Sequence, residues 1–216
     1  MAIEKRKRLL DEAEVARRRY SQSLRSLAQA GIAYHDRAPE LPQRLLAGCR
    51  LLQNRNDLVK LLPKKGVVAE VGTDGGTFVR FMLDASQPRQ LHLFKLDASR
   101  VENISEGLRE GIITLHEGDP ASMVSAMPDE YFDWIYVDNG HLYKDAKADI
   151  EVSASKVKPG GYLVFNDYAV WSPVSMNRCG VARAVNEFCI ANEWEVVFLA
   201  FQSMMYNDVA LRKPMR

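Results

Sequence analysis

The residues best placed to do chemistry fall in two short stretches, F-D-W-I-Y-V-D-N-G-H-L-Y at 132–143 and K-P-G-G-Y-L-V-F-N-D-Y at 158–168. Each is an apolar run that ends in polar residues, as a buried strand does where it gives way to a loop. Asp138 and His141 follow the first run, and Asn166 and Asp167 follow the second. Neighbouring parallel strands lie about 4.8 Å apart, so if these two runs pair, four polar side chains converge on one rim. Two carboxylates with an amide make a hard-oxygen set suited to Mg²⁺ or another divalent cation. A histidine beside them could take a proton near neutral pH. Asp138 and His141 are therefore the candidate catalytic pair, and Asp138, Asn166 and Asp167 the candidate metal ligands. Asp149, further along, reads as structural.

A third stretch, V-A-E-V-G-T-D-G-G-T-F at 68–78, has the composition of a ligand-binding turn. Glu70 ends a strand, Gly72 permits a tight turn, and Gly75 and Gly76 let backbone approach a ligand where a helix begins. Amides at such a helix start favour a carboxylate or phosphate. The spacing E-x-G-x-x-x-G, unlike G-x-G-x-x-G, disfavours a dinucleotide and suits S-adenosylmethionine (SAM). Glu70 would then face the ligand's ammonium group, with Gly72, Thr73, Asp74 and Gly76 forming the turn around it and Asp138 close by. An acid about 20 residues on commonly bonds ribose hydroxyls. Asp97 is the candidate here, although Lys95 stands directly after the apolar run. Asp119 could meet an adenine amine; ahead of Pro120 it reads equally well as a helix cap.

The elements that must position these residues can be read from periodicity. Leu9, Ala13, Ala16, Tyr20, Leu24 and Leu27 recur at helical steps and predict a helix over 4–30. A second helix is expected over 41–62, ending at Pro63. From Gly66 onward, apolar strand candidates at 67–71, 90–96, 111–117, 132–138 and 161–167 alternate with helical stretches near 76–86, 101–109, 120–126, 143–156 and 181–192. Such alternation is the signature of a doubly wound, mostly parallel α/β sheet. Two final strands, 194–202 and 204–212, follow one another too closely for a crossover and must pair antiparallel. The expected organisation is an N-terminal helical extension over 1–62 and a sheet domain over 63–216. In such a sheet, ligands bind beyond the carboxyl ends of the strands, where strand order reverses.

Composition narrows the class. With 216 residues, 47% hydrophobic and 26% charged, the chain suits one folded domain with an appendage and no disordered or fibrous protein. Three cysteines with no C-x-x-C pair give neither a disulfide framework nor a zinc knuckle. No apolar run is long enough to span a membrane, and the charged first residues lack the apolar core of a secretion signal, so the cytoplasm is the expected compartment. The net charge of +1 hides an asymmetry: residues 1–65 carry 15 Lys/Arg against 7 Asp/Glu, and the remainder 14 against 21. The basic layer is solvated, docks on the acidic remainder, or meets an anionic partner. The apolar stripe of the first helix also offers a surface on which two copies could pair.

Taken together, E-V-G-T-D-G-G, Y-V-D-N-G-H-L-Y, K-P-G-G-Y-L-V-F-N-D-Y and G-V-A-R-A-V-N-E-F resemble the class I SAM-dependent methyltransferases. Within them the similarity is greatest to the branch that includes the macrolide-sugar O-methyltransferases, and it spans roughly residues 55–212. The resemblance implies a Rossmann-like sheet and SAM as methyl donor, with Glu70, Gly72 and Gly76 at its methionine and ribose end. It also implies a divalent metal near Asp138, Asp167 and Asn166, with His141 as base. Two departures stand out: Lys95 occupies the place of an acid, and Asn166 that of a second acid after the fifth strand.

The expected activity is methylation of a hydroxyl on a small, natural-product or sugar-like acceptor. Tyr168 and Trp171, in an irregular apolar stretch over 168–178, are the candidate substrate contacts. Competing readings are an NAD-dependent oxidoreductase, an RNA methyltransferase using the basic N-terminal layer, and a non-catalytic SAM-binding protein. The glycine spacing argues against the first. The absence of an N-P-P-Y loop after the fourth strand argues against nucleic-acid bases as the acceptor.

Overall fold

The computed structural model describes residues 2–35, 37–72, 76–95, 105–172, 176–203 and 206–215. Two compact units divide the chain, Met1–Asp36 and Arg37–Arg216. The first holds helix α1, Ala2–Gln29, close to the expected span. Its Leu9, Leu10 and Val15 are exposed.

The second unit is built on an eight-stranded sheet. Its strands are β1 (Arg50–Leu52), β2 (Val67–Val71), β3 (Gln90–Lys95), β4 (Ile113–Glu117), β5 (Phe132–Val137), β6 (Val157–Phe165), β9 (Glu195–Phe201) and β10 (Asn207–Arg212). The strand order is β1-β9-β10-β6-β5-β2-β3-β4, parallel except where β10 runs against both β6 and β9. A separate short hairpin, β7 (Trp171–Ser172) with β8 (Asn177–Arg178), lies in the stretch expected to be irregular. Helices α2 (Arg55–Leu61), α3 (Thr77–Ser86), α4 (Ser105–Arg109), α5 (Pro120–Ser125), α6 (Tyr143–Ser153) and α7 (Val181–Asn192) complete the unit. The doubly wound sheet and its closing antiparallel hairpin match the sequence pattern.

Residue parity sorts the strands into two cores. Ala69, Ile135, Leu163 and Val209 face one layer, which packs with buried side chains of α5, α6 and α7. Val68, Trp134, Val164 and Ala210 face the other, with Val79 and Met82 of α3 and Leu58 and Val59 of α2. Period-two alternation with both faces covered explains why the central strands are largely apolar.

The helix expected over 41–62 is not one element. A 3-10 turn at Gln43–Leu45, the strand β1 and the helix α2 replace it. Leucine pairs at 45/46, 51/52 and 61/62, with Leu58-Val59, imitate helical spacing. Asn54, however, caps α2 by accepting from the Asp57 amide at 3.0 Å, so the helix starts only there. Because β1 pairs with β9, sheet structure begins before residue 63, and the compact unit begins at Arg37.

Candidate active site

Strand register builds the site. Val71 pairs with both Phe94 and Val137, and Val137 with Phe165, so these strands end level. The ladder continues one step into the loops: the amide of Gly72 donates to Phe94 O, that of Asp138 to Val71 O, and that of Asn166 to Val137 O, at 3.0, 2.8 and 3.0 Å. Gly72, Asp138 and Asn166 therefore stand side by side. The chain runs outward from β2 through β3 to β4 and then returns to the other flank of β2 at β5. The switch point between β2 and β5 is thus the rim that holds the predicted residues.

The expected convergence of the β5 and β6 tips is present. Asn166 Nδ2 donates to Asp138 Oδ1 at 2.9 Å. His141 Nδ1 lies 3.4 Å from Asp167 Oδ2. The His141 imidazole is about half exposed, whereas Asp167 is buried, which lifts its carboxyl above the usual range while His141 opposes the shift. Asp167 adopts a left-handed backbone (φ 53). Its carbonyl accepts from the Cys179 thiol at 3.2 Å, and the next amide, of Tyr168, donates to Asn207 O at 2.7 Å. Such backbone strain, held by its surroundings, is common where a side chain must be aimed.

The glycine turn suits a ligand that needs backbone donors. Gly76, at φ 67, precedes α3 and, having no side chain, offers no cap to the first-turn amides of α3. Gly72, at φ 93, allows the β2 turn to touch the β5 loop. Glu70 is fully buried on the α2/α3 face, in register with Tyr136. Thr73, Asp74 and Asp97 lie outside the described residues. Lys95 ends β3 in a buried position, one residue short of that segment. Asp119 accepts from Ser122 N at 2.9 Å and Ser122 Oγ at 2.5 Å, both on Oδ2, and so caps α5.

The arrangement bears on three expectations. The set Asp138, Asn166 and Asp167 does not form cation ligands as arranged: Asn166 turns its N–H, not its carbonyl oxygen, toward Asp138, and Asp167 faces His141. Among the described residues no group of three or more His, Cys, Asp or Glu side chains is placed to hold a metal ion. Tyr168 does not offer its hydroxyl freely, because it donates to Asn186 Oδ1 at 2.6 Å, and its ring packs against the core on the α7 side. Trp171 sits in β7, opposite Arg178.

Four residues that the motifs did not single out also reach this rim. Buried Tyr136 donates to Asp208 Oδ2 at 2.6 Å, and Gln202 Nε2 to Asp208 Oδ1 at 2.6 Å. The Arg55 guanidinium lies 4.3 Å from the Phe78 ring centroid; burial works against its charge, but Tyr136, then Asp208 and Asp138, raise its pKa above the usual value. Asp208 and Gln202 come from the β9–β10 hairpin, and Arg55 from the first turn of α2.

Residues 69–168 match a family model described as a methyltransferase domain. The fold is that of a class I SAM-dependent methyltransferase. Similar solved structures include the B. subtilis tRNA methyltransferase TrmK, at 12% identity and a TM-score of 0.55, covering 76% of this chain and 66% of that one. Fibrillarin of Aeropyrum pernix, in complex with SAM, gives 14% identity and a TM-score of 0.54 over 73% of each chain. The 1,6-didemethyltoxoflavin-N1-methyltransferase of Burkholderia thailandensis gives 19% identity and a TM-score of 0.52, covering 70% of this chain and 72% of that one. No curated protein matches the sequence significantly. Among the described residues no helix of this methyltransferase fold is long and apolar enough to cross a membrane.

Proposed function

We propose that the protein transfers a methyl group from SAM to a hydroxyl of a small, natural-product or sugar-like acceptor, with His141 as general base. The observation that carries this reading is the pairing of His141 Nδ1 with Asp167 Oδ2 at 3.4 Å, on the rim shared with Asp138. A carboxylate beside Nδ1 favours the tautomer with its proton there, leaving Nε2 to accept one. A positioned base of this kind contributes about 10²–10⁴-fold.

Glu70, Gly72, Gly76 and Asp138 would hold SAM, with Asp119 at its adenine end. When bound, SAM would supply an electrophilic methyl group on sulfur for transfer to the acceptor oxygen, with S-adenosylhomocysteine as the other product. His141 Nε2 takes the hydroxyl proton. Asp167 steadies the imidazolium that results, and the left-handed turn at Asp167 fixes its aim.

The test begins with calorimetric titration of SAM and S-adenosylhomocysteine, followed by labelled-methyl transfer to a panel of sugars and polyhydroxylated aglycones. His141→Ala should bind S-adenosylhomocysteine normally and lose turnover by about 10²–10⁴-fold. Failure to bind SAM would end the reading, and wild-type turnover in His141→Ala would end the base assignment. Transfer to RNA in place of the hydroxyl panel would overturn the acceptor class.

A further inference from the structure

The buried contacts beneath the rim run in one chemical direction. Tyr136 is fully buried, and burial, with Asp208 close by, lifts its phenol well above the usual range, so it remains a donor. Asp208, equally buried, accepts at both oxygens, from Tyr136 Oη and Gln202 Nε2, each at 2.6 Å. The other proton on that Nε2 faces Asn166 Oδ1 at 3.5 Å. Asn166, its oxygen on the side of that proton, turns Nδ2 to Asp138 Oδ1 at 2.9 Å. An ionised carboxylate only accepts. Asp208 therefore fixes which end of the Gln202 amide faces it, and Gln202 in turn fixes the Asn166 amide. The topology supports this arrangement, since Val209 pairs antiparallel with Phe165 and so brings Asp208 beside Asn166.

Resting on the proposed function for the importance of Asp138, we propose that Asp208 is a positioning residue: acting through Gln202 it locks the Asn166 amide, which holds Asp138 by a hydrogen bond where a divalent cation would otherwise hold it. The lock does two things at once. It removes one lone pair of Asp138 from any cation, and it turns the only neutral oxygen of the Asp138–Asn166–Asp167 trio away. Burial lifts the Asp208 carboxyl to about 6, against the pull of Tyr136 and Gln202, so it is ionised at neutral pH and the direction of the chain is set there.

The test uses ¹⁵N-labelled full-length protein, with the Asn166 side-chain amide signals assigned by their loss in Asn166→Asp. In the wild type these protons should exchange slowly. In Asp208→Leu and Gln202→Ala they should shift and exchange about tenfold or more faster, the loss expected when a hydrogen-bond partner is removed. Asp208→Glu should restore part of the protection, which a purely space-filling role would not. Mn²⁺ titration followed by electron paramagnetic resonance supplies a second measurement: the wild type should bind about tenfold or more weakly than Gln202→Ala or Asn166→Asp. Unchanged Asn166 exchange in Gln202→Ala, or equal Mn²⁺ affinity in the wild type and Asn166→Asp, would overturn the proposal. If Asp208→Leu does not fold, Gln202→Ala, altered at a half-buried turn position, decides the same point. Binding of S-adenosylhomocysteine is measured alongside: its absence in the wild type counts against the methyltransferase activity, while the amide exchange still judges the lock.

Discussion

Gly72 and Asn139 meet backbone to backbone: a Cβ on Gly72 would lie 2.5 Å from the Asn139 Cα and 2.5 Å from Asp138 O. The turn after β2 and the loop after β5 can approach only because position 72 has no side chain and adopts φ 93. Gly72→Ala would meet both penalties, a left-handed conformation costing about 1–3 kcal/mol and a contact with backbone that has nowhere to go. The variant should melt several degrees lower and bind S-adenosylhomocysteine about tenfold more weakly or worse. Calorimetry and thermal unfolding together check this, and wild-type values in both would show that the two loops are not packed as described.

Asn139 is held from its other side by Asp149, whose two oxygens accept from Asn139 Nδ2 at 3.2 Å each. Burial raises the Asp149 carboxyl to about 6, with the Asn139 hydrogen bonds opposing the shift. The folded protein thus holds this proton more tightly than the unfolded chain, where an aspartate titrates near about 3.9. Between those values the native state carries the extra proton, so stability falls as pH rises from about 4 to about 6 and stays lower above. Asp149→Asn should remove a pH-dependent change of about 3 kcal/mol. Urea unfolding of both proteins across this pH range provides the comparison. Parallel curves would show that Asp149 is not the buried acid described here.

The sequence revealed the rim through strand-end chemistry, because parallel strands place every carboxyl end on one side once their order is known. Gly72, Asp138, His141, Asn166 and Asp167 all followed from that logic. Arg55, Gln202 and Asp208 did not, and each for a topological reason. Three residues, Arg50–Leu52, are too few to show a period, so β1 reads as part of one long helix, which hides that Arg55 opens a new helix at the rim. The antiparallel hairpin was recognised, but its consequence is easily missed: β9 runs parallel to β6, so its carboxyl end and the start of β10 reach the same rim. That inference was available from the order of elements alone. The direction of the Asn166 amide was not, since it depends on a buried carboxylate 42 positions away, placed by the register of Val209 with Phe165.

Tyr168 offers a test of structural against substrate roles. Its hydroxyl donates to Asn186 Oδ1 at 2.6 Å, and Asn186 Nδ2 donates to Pro39 O at 2.7 Å, tying the loop after β6 to α7 and to the segment before the 3-10 turn. Tyr168→Phe leaves the Asn186 oxygen without this donor and should cost about 1 kcal/mol in urea unfolding. Affinity for S-adenosylhomocysteine should stay within about twofold, because the hydroxyl points into the protein. Undiminished stability with weakened acceptor binding would return Tyr168 to the substrate pocket.

Asp119 joins two demands in one carboxylate. Both of its contacts with Ser122 fall on Oδ2, and the Ser122 hydroxyl bond, foremost, holds the carboxyl below its usual range. Replacing the cap by alanine should lower the melting temperature, whereas serine, itself a good cap, should restore most of the loss. The adenine contact proposed for this residue needs the second carboxylate oxygen, which neither replacement supplies. Asp119→Ala and Asp119→Ser should therefore differ in stability yet share a loss of about tenfold in S-adenosylhomocysteine affinity. Thermal unfolding separates the first effect and calorimetry the second. Wild-type affinity in Asp119→Ser would leave Asp119 as the cap of α5 alone, and the adenine amine would have to be met by another group on the loop after β4 or by the segment after β3.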